Sequence, residues 1–501
     1  MLSAKIILDK DFEIGETDRR LYGSFLEHIG RAIYGGIFQP GHHTADANGF
    51  RADALELVKE LDVPVVRYPG GNFVSGYDWE DGIGPKDARP RRLDLAWHTI
   101  ESNQIGTDEF IDWCALACCD PMIAVNLGTR GAEAALNLLE YCNHPSGTYW
   151  SDLRVKNGRK NPHGVKLWCL GNEMDGPWQI CAKTAREYGR LANETAKLMK
   201  WADPSIELVA CGSSGPGMAT FADWEREVLE LTYDNVDYIS LHSYYENAAD
   251  DTPDFLACGL QMDKFIKDVA SICDAAGAKV RSKKRVHLSF DEWNVWFMSK
   301  HGGEAVRGWN DAPEQAPDGY TFEDALLVGS LLITLMNNCD RVKIACLAQL
   351  VNVIAPITTS DGGAWRQTIF YPFAHASRYG RGRVLRAVTE SPKYDSKNYT
   401  DVPYLDAAFV HDEERGELTM FAVNRSLDED MAVAVDPRGF GEFTRRESVA
   451  FSHGDLKAFN TERAPFTVAP RGPVTAACSG PAILGPVVLE KHSWNVVRFL
   501  K

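Results

Sequence analysis

Through the first two thirds of the chain, short β-branched and apolar runs alternate with longer amphipathic stretches. The runs predict strands over 21–26, 63–68, 122–126, 165–170, 207–211, 238–241, 286–290 and 342–347. Between most of them apolar residues recur at the helical period. In 51–61, RADALELVKEL, the residues Ala54, Leu55, Val58 and Leu61 share one face. Residues 182–199, 224–231, 255–276 and 322–338 read the same way. Strand–helix alternation predicts a parallel sheet with crossover helices, and eight such strands predict a closed (β/α)8 TIM barrel. From 384 onward the runs become short, alternating and turn-broken, as in YLDAAFVHDEERGELTMFAVNRS, which predicts hairpins of an antiparallel sandwich. GRGRV at 380–384 marks the change, and the opening KIILDKDFEI reads as a strand of the same β unit. The predicted organisation is a barrel over 18–380 with a jelly-roll-like antiparallel β-sandwich formed by 1–17 and 381–501.

Composition narrows the partners. The chain has 501 residues, with 70 acidic against 53 basic side chains and a net charge of −17. Such a surface repels phosphate backbones, so nucleic acid is not an expected partner. The longest apolar run, ALLVGSLLITLM from Ala325, falls short of the ~20 residues a bilayer crossing needs, so no membrane partner is expected. The N-terminus lacks the apolar core and cleavage site of a secretory leader, which makes a cytoplasmic location the expectation. The 12 cysteines contain no CxxC pair, and Cys169, Cys211 and Cys346 sit in apolar runs. They read as reduced, buried small hydrophobes rather than zinc ligands.

A barrel places its chemistry where strands run into the following loops. After successive predicted strands come Glu27-His28, then Arg67 to Asn72, Asn172-Glu173, His242 to Tyr245, Asp291 to Asn294, and Gln349. One glutamate after one strand is ordinarily a solvated loop residue; polar groups behind most strands of one barrel form a pattern. Glu173 and Glu292 follow the fourth and seventh strands, from which two carboxyls can face each other across a pocket, the arrangement glycoside cleavage uses. Asp291 and Asp175 are rival carboxylates. Strand alternation points Asp291 away from Glu292's side, and Asp175 falls in a loop, so both read as structural. Trp79, Trp97, Trp178, Trp293 and Trp296 cluster near these positions. Indole faces suit sugar rings, although core packing accounts for part of the set, Trp293 first.

These residues lie in nine ordered stretches: LYGSFLEHIGRAIYGGIFQPG (21–41), VVRYPGGNFVSGYDWEDGIGP (65–85), RPRRLDLAW (89–97), AVNLGTRG (124–131), WCLGNEMDGPWQ (168–179), YISLHSYY (238–245), LSFDEWNVW (288–296), IACLAQLVNVIAPI (344–357) and WRQTIFYPF (365–373). In them the chain resembles the α-L-arabinofuranosidases of glycoside hydrolase family 51. The resemblance implies a barrel with a β-sandwich, retention of anomeric configuration, no cofactor and no metal. It implies Glu173 as general acid/base and Glu292 as nucleophile, with Asn172 holding the sugar's 2-hydroxyl. It further implies Glu27, Asn72, Tyr244 and Gln349 as ring contacts, Trp97 and Trp296 as walls around the aglycone, and Arg67 and His242 as support for the nucleophile region. Arabinofuranosyl oligosaccharides are the implied substrates and a homo-oligomer, a hexamer, the implied assembly. Two departures are local: Ser243 stands where many relatives carry Gln, and the Gly-, Pro- and charge-rich segment 297–320 matches poorly, a place where acceptor preference is set. Alternatives are a β-xylosidase or endoglucanase on the same barrel, a catalytically silent sugar-binding protein, and a metal hydrolase using His28, His42 and His43.

Overall fold

A computed structural model describes residues 1–301, 308–316, 319–478 and 484–501. Eight strands close a parallel barrel: β1 (Gly23–Phe25), β2 (Val65–Tyr68), β3 (Asp120–Ala124), β4 (Leu167–Leu170), β5 (Glu207–Ala210), β6 (Tyr238–Tyr245), β7 (His287–Val295) and β8 (Val342–Ala348). They are ordered as in the sequence, with β8 paired to β1. Strand-length apolar runs suit this position because both faces of a barrel wall are covered. Phe25, Val65, Met122, Cys169, Val209 and Ile344 fill the interior.

β6 and β7 depart from expectation in length. Both continue past their apolar stretches, so HSYY and DEWN lie in strands rather than in loops. The ladder carries them, with His242 opposite Glu292 and Tyr244 opposite Asn294. The amphipathic stretch 255–276 also differs. It is two helices, Thr252–Leu256 and Gly259–Val280, because the Leu256 carbonyl accepts from Arg425 Nε at 3.0 Å instead of continuing the helical ladder.

Outside the barrel, among the described residues, lie two larger sheets and three two-stranded ones. The four-stranded sheet places Leu2–Asp9 between Val388–Glu390 and Met431–Arg438, with Leu484–Leu489 beyond; Leu2–Asp9 runs parallel to Met431–Arg438. The seven-stranded sheet is antiparallel and begins with Glu13–Glu16 beside Arg383–Leu385. Ile6, Phe409, Met420, Val433 and Phe499 form a core between the two sheets. The other face of the larger sheet, including Phe421, Trp494 and Val496, joins the barrel's main core.

That packing explains the longest apolar run. It lies in helix Phe322–Asn337, buried on nearly every side between barrel and sheet. At Gly329 a Cβ would sit 2.6 Å from Trp494 Cε3, so only glycine lets the indole seat against the helix. Among the described residues no helix is long and apolar enough to cross a membrane. All 12 cysteines are free thiols, and Cys169, Cys211 and Cys346 are buried as their surroundings predict.

Trp494→Ala empties this seat, and the expected cost is about 3–5 kcal/mol. Chemical denaturation checks it: the midpoint falls well below wild type, and an unchanged midpoint contradicts the role given to the indole.

Candidate active site

Glu173 and Glu292 come together at the end of the barrel where the strands terminate. Oxygens of the two carboxyls and a ring nitrogen of His242 all lie within 4.8 Å of one another. Glu173 follows β4 through Gly171 and Asn172, and its own φ of 43° is left-handed, a conformation that costs a side-chain-bearing residue energy and is tolerated at functional sites. Glu292 lies within β7. Its Oε1 accepts from Arg67 Nη1 at 2.8 Å and its Oε2 from the Tyr244 hydroxyl at 2.7 Å. Arg67 Nη2 donates to Asn172 Oδ1 at 2.7 Å, so one guanidinium ties the nucleophile candidate to the neighbour of the acid candidate. Trp296 meets Tyr244 edge-on at 5.0 Å.

Strand β7 carries one extra residue. Against β6, the pair Ser240–Ser289 is followed by His242–Glu292; against β8, Phe290–Ala345 is followed by Trp293–Leu347. This bulge breaks the alternation that would have turned Asp291 away. Asp291 Oδ1 instead accepts from His242 Nε2 at 2.9 Å, while the same ring reaches Glu173 Oε1 through Nδ1 at 2.8 Å. His242 stands 3.7 Å from Glu292, within the nucleophile region, while its hydrogen bonds go to Glu173 and Asp291.

Burial disfavours the imidazolium, but Glu292's charge and the bonds to Asp291 and Glu173 outweigh it and push His242 up to about 10. Both nitrogens then donate and neither has a lone pair for a metal, so the Glu173–His242–Glu292 cluster does not fit a cation in this state. Burial is also the main cause that raises Glu173 above the usual carboxylate range; Glu292's charge adds to it, and the His242 and Trp178 bonds oppose it.

Glu27, just after β1, forms the far wall. Its oxygens accept from Phe73 N (3.0 Å), Trp97 Nε1 (2.9 Å) and Gln349 Nε2 (3.1 Å), and burial first, then Glu292's charge, raise it to about 8. A Cβ at Gly71 would lie 3.0 Å from Glu27 Oε2, so the paired glycines let the 69–72 turn close over this carboxyl. Asn72 begins the short turn Asn72–Gly76 and is half-buried. Trp97 therefore anchors Glu27 through its N–H.

Three residues make contacts in the site that the sequence did not assign to them, although Trp178 stood among the clustered tryptophans and Asp291 among the rival carboxylates. Trp178, 51% exposed, donates from Nε1 to Glu173 Oε2 at 2.7 Å. Gln179 donates to Ser75 Oγ and accepts from Asn172 Nδ2. Asp291 is the third. Asp175 is structural as expected, accepting from Ser214 and Thr220, and Trp293 is core. His28 is bonded to Glu101 and Tyr68 and His42 to Thr44, which leaves the histidine-based metal alternative without a ligand cluster among the described residues. Residues 302–307 and 317–318 of the acceptor-preference segment lie outside the described residues.

Comparison with known proteins decides the family. The descriptions "Alpha-L-arabinofuranosidase 1 domain" and "Alpha-L-arabinofuranosidase C-terminal domain" match residues 57–258 and 291–493. An intracellular exo-α-(1→5)-L-arabinofuranosidase of Halalkalibacterium halodurans is 59% identical over 501 residues, covering 100% of this chain and 99% of its own. The chain belongs to the α-L-arabinofuranosidases of glycoside hydrolase family 51. A Bacillus subtilis relative, intracellular exo-α-(1→5)-L-arabinofuranosidase 1, is 56% identical over the whole of both chains. The solved family 51 α-L-arabinofuranosidase AbfB from Bifidobacterium longum superposes with a TM-score of 0.95 at 45% identity, covering 100% of both. An arabinose complex of the Thermotoga maritima arabinofuranosidase gives 0.87 at 33% identity, again covering 100% of both.

In this arabinofuranosidase His242 should hold both ring protons through neutral pH. Because its folded pKa lies above the unfolded value of ~6.5, the stability it contributes is full below that value and is lost as pH rises toward about 10. Nitrogen-detected NMR of the histidine rings checks this; a neutral His242 ring at pH 7 contradicts it.

Proposed function

We propose that the protein is a retaining, exo-acting α-L-arabinofuranosidase that releases terminal α-L-arabinofuranosyl units from arabino-oligosaccharides inside the cell. The observation that carries the mechanism is carboxyl spacing. Retaining enzymes hold their two carboxyls about 5–5.5 Å apart, whereas inverting enzymes leave about 6.5–9.5 Å for a water; the oxygens of Glu173 and Glu292 come within 4.8 Å. Relatives from three bacteria are named intracellular exo-α-(1→5)-L-arabinofuranosidases, which supports the exo mode, the linkage and the location. A Bifidobacterium longum relative named for the 1→6 linkage is 47% identical, so linkage is the point most open to experiment. Glucanase and xyloglucanase structures at 11–12% identity share the fold alone. The catalytic unit in this reading is 18–380, with 1–17 and 381–501 forming the sandwich that braces it.

In the first step Glu292 attacks the anomeric carbon and the C–O bond to the leaving group breaks as Glu173 gives its proton to the departing oxygen. Arg67 holds one oxygen of the attacking carboxylate and Tyr244 the other, so the oxygen left out of the ester keeps its partner. In the second step Glu173, now a carboxylate, takes a proton from water as the water displaces Glu292. Asn172, fixed by Arg67, presents its amide to the 2-hydroxyl. Glu27, Asn72 and Gln349 hold the far side of the ring, and Trp97, Trp178 and Trp296 line the exit for the leaving group.

Glu292→Ala should lower kcat by on the order of 10⁴-fold or more, and azide should restore cleavage with formation of the β-azide. Glu173→Ala should lose about 10²–10⁴-fold on natural linkages and far less on aryl glycosides with good leaving groups, with azide giving the α-azide. Near-native rates for both variants on a natural linkage overturn the assignment.

A further inference from the structure

Asp291 is fully buried, and neither step above uses it. It sits where the β7 bulge brings two consecutive residues, Asp291 and Glu292, into reach of one imidazole. Its Oδ1 takes the Nε2–H of His242 at 2.9 Å, and Ser289 Oγ donates to its Oδ2 at 3.1 Å. The ring it holds is the one whose Nδ1 meets Glu173 Oε1 at 2.8 Å. The chain Asp291–His242–Glu173 therefore runs unbroken from the buried Asp291 and His242 to the acid/base.

We propose that Asp291 is a positioning residue for the acid/base: its carboxylate locks His242 in the orientation and charge state that present Nδ1–H to Glu173, and so sets the pH range over which Glu173 carries the proton it gives to the leaving group. The inference rests on the reading of Glu173 as acid/base.

Charge balance gives the physical reason. The titratable groups around the Asp291–His242–Glu173 chain are Arg67 from β2, Cys169 from β4, Cys211 after β5, Tyr244 from β6, Glu292 from β7 and Cys346 from β8. Burial holds the thiols and the phenol protonated. Glu27, raised to about 8, also keeps its proton at neutral pH. Two cations remain, Arg67 and His242, against Asp291 and Glu292. The buried set is neutral when Glu173 holds its proton, the form the first step requires, and a buried set with unbalanced charge is costly. Without Asp291's charge the same set is one charge too positive, and Glu173 sheds its proton at lower pH. Without His242 it is one charge too negative, and Glu173 keeps its proton to higher pH.

Two variants test this through opposite signs. Asp291→Asn keeps an Oδ1 acceptor for Nε2–H and removes only the charge. The basic limb of its kcat/KM profile, which reports the acid of the free enzyme, should move down by about one pH unit or more, with kcat falling at the wild-type optimum and KM changing little. His242→Gln should move the same limb up. A residue that merely fills space lowers the rate without moving the limb, so an unmoved limb in folded Asp291→Asn overturns the proposal. Should that variant not fold, an unmoved or lowered limb in His242→Gln overturns it. The leaving-group test on Glu173→Ala separates the two levels: if it discriminates between aryl and natural linkages while neither limb moves, only the Asp291 inference fails; if it does not discriminate, the acid/base reading itself fails.

Discussion

Arg67 is 1% exposed, and its two terminal nitrogens end on Glu292 at 2.8 Å and Asn172 at 2.7 Å. A carboxylate placed inside a barrel without such a partner would bear a desolvation penalty of several kcal/mol. The guanidinium removes that penalty and fixes direction as well, because its planar fork holds two acceptors at set angles. β2 supplies Arg67, β4 leads to Asn172 and Glu173, and β7 supplies Glu292. Three strands of the wall are thus joined through one side chain, and the spacing of the carboxyl pair follows from it.

The rest of the protein holds those strands in register. The bulge in β7 is local and turns Asp291 and Glu292 into the same polar cluster. Behind it, Asn294 donates to the carbonyls of Ala348 and Ile354, tying β7 to the segment that carries Gln349. Outside the wall, helix Phe322–Asn337 is covered by the seven-stranded sheet, with Trp494 seated on Gly329. This one helix of the barrel's outer layer is thereby buried on nearly every side. Arg425, buried at the same junction, bonds the carbonyls of Leu256 and Pro403 and pairs with Asp406.

Much of this was legible in the residues, for identifiable reasons. Eight apolar runs became eight barrel strands because each is buried on both faces and needs no polar face to be recognised. Glu173 and Glu292 were legible as acidic residues following buried strands. The continuation of β6 and β7 through HSYY and DEWN was not, since polar residues at a strand end read as loop; pairing across the ladder, absent from a single sequence, keeps them extended. Asp291 was misdirected by the two-residue period, which holds only while the ladder has no extra residue. The resemblance put His242 in the nucleophile region, where it lies; that its ring bonds Glu173 and Asp291 was not legible, because a sequence does not say which ring nitrogen meets which partner. Trp178 was visible as an aromatic in the GNEMDGPW stretch, yet its bond to Glu173 depends on how the loop folds back over Gly176, where a Cβ would lie 2.7 Å from the indole.

In the proposed double displacement Glu173 and Glu292 act on opposite faces of one furanosyl ring, with Glu292 bonding to it in between. The most direct test is the configuration of the sugar after transfer to methanol, which locks the anomer before it can equilibrate. With an aryl α-L-arabinofuranoside as donor, double displacement gives methyl α-L-arabinofuranoside as the first transfer product in the NMR spectrum. A first product that is the β-anomer would mean a single displacement and would contradict the roles given to both carboxyls.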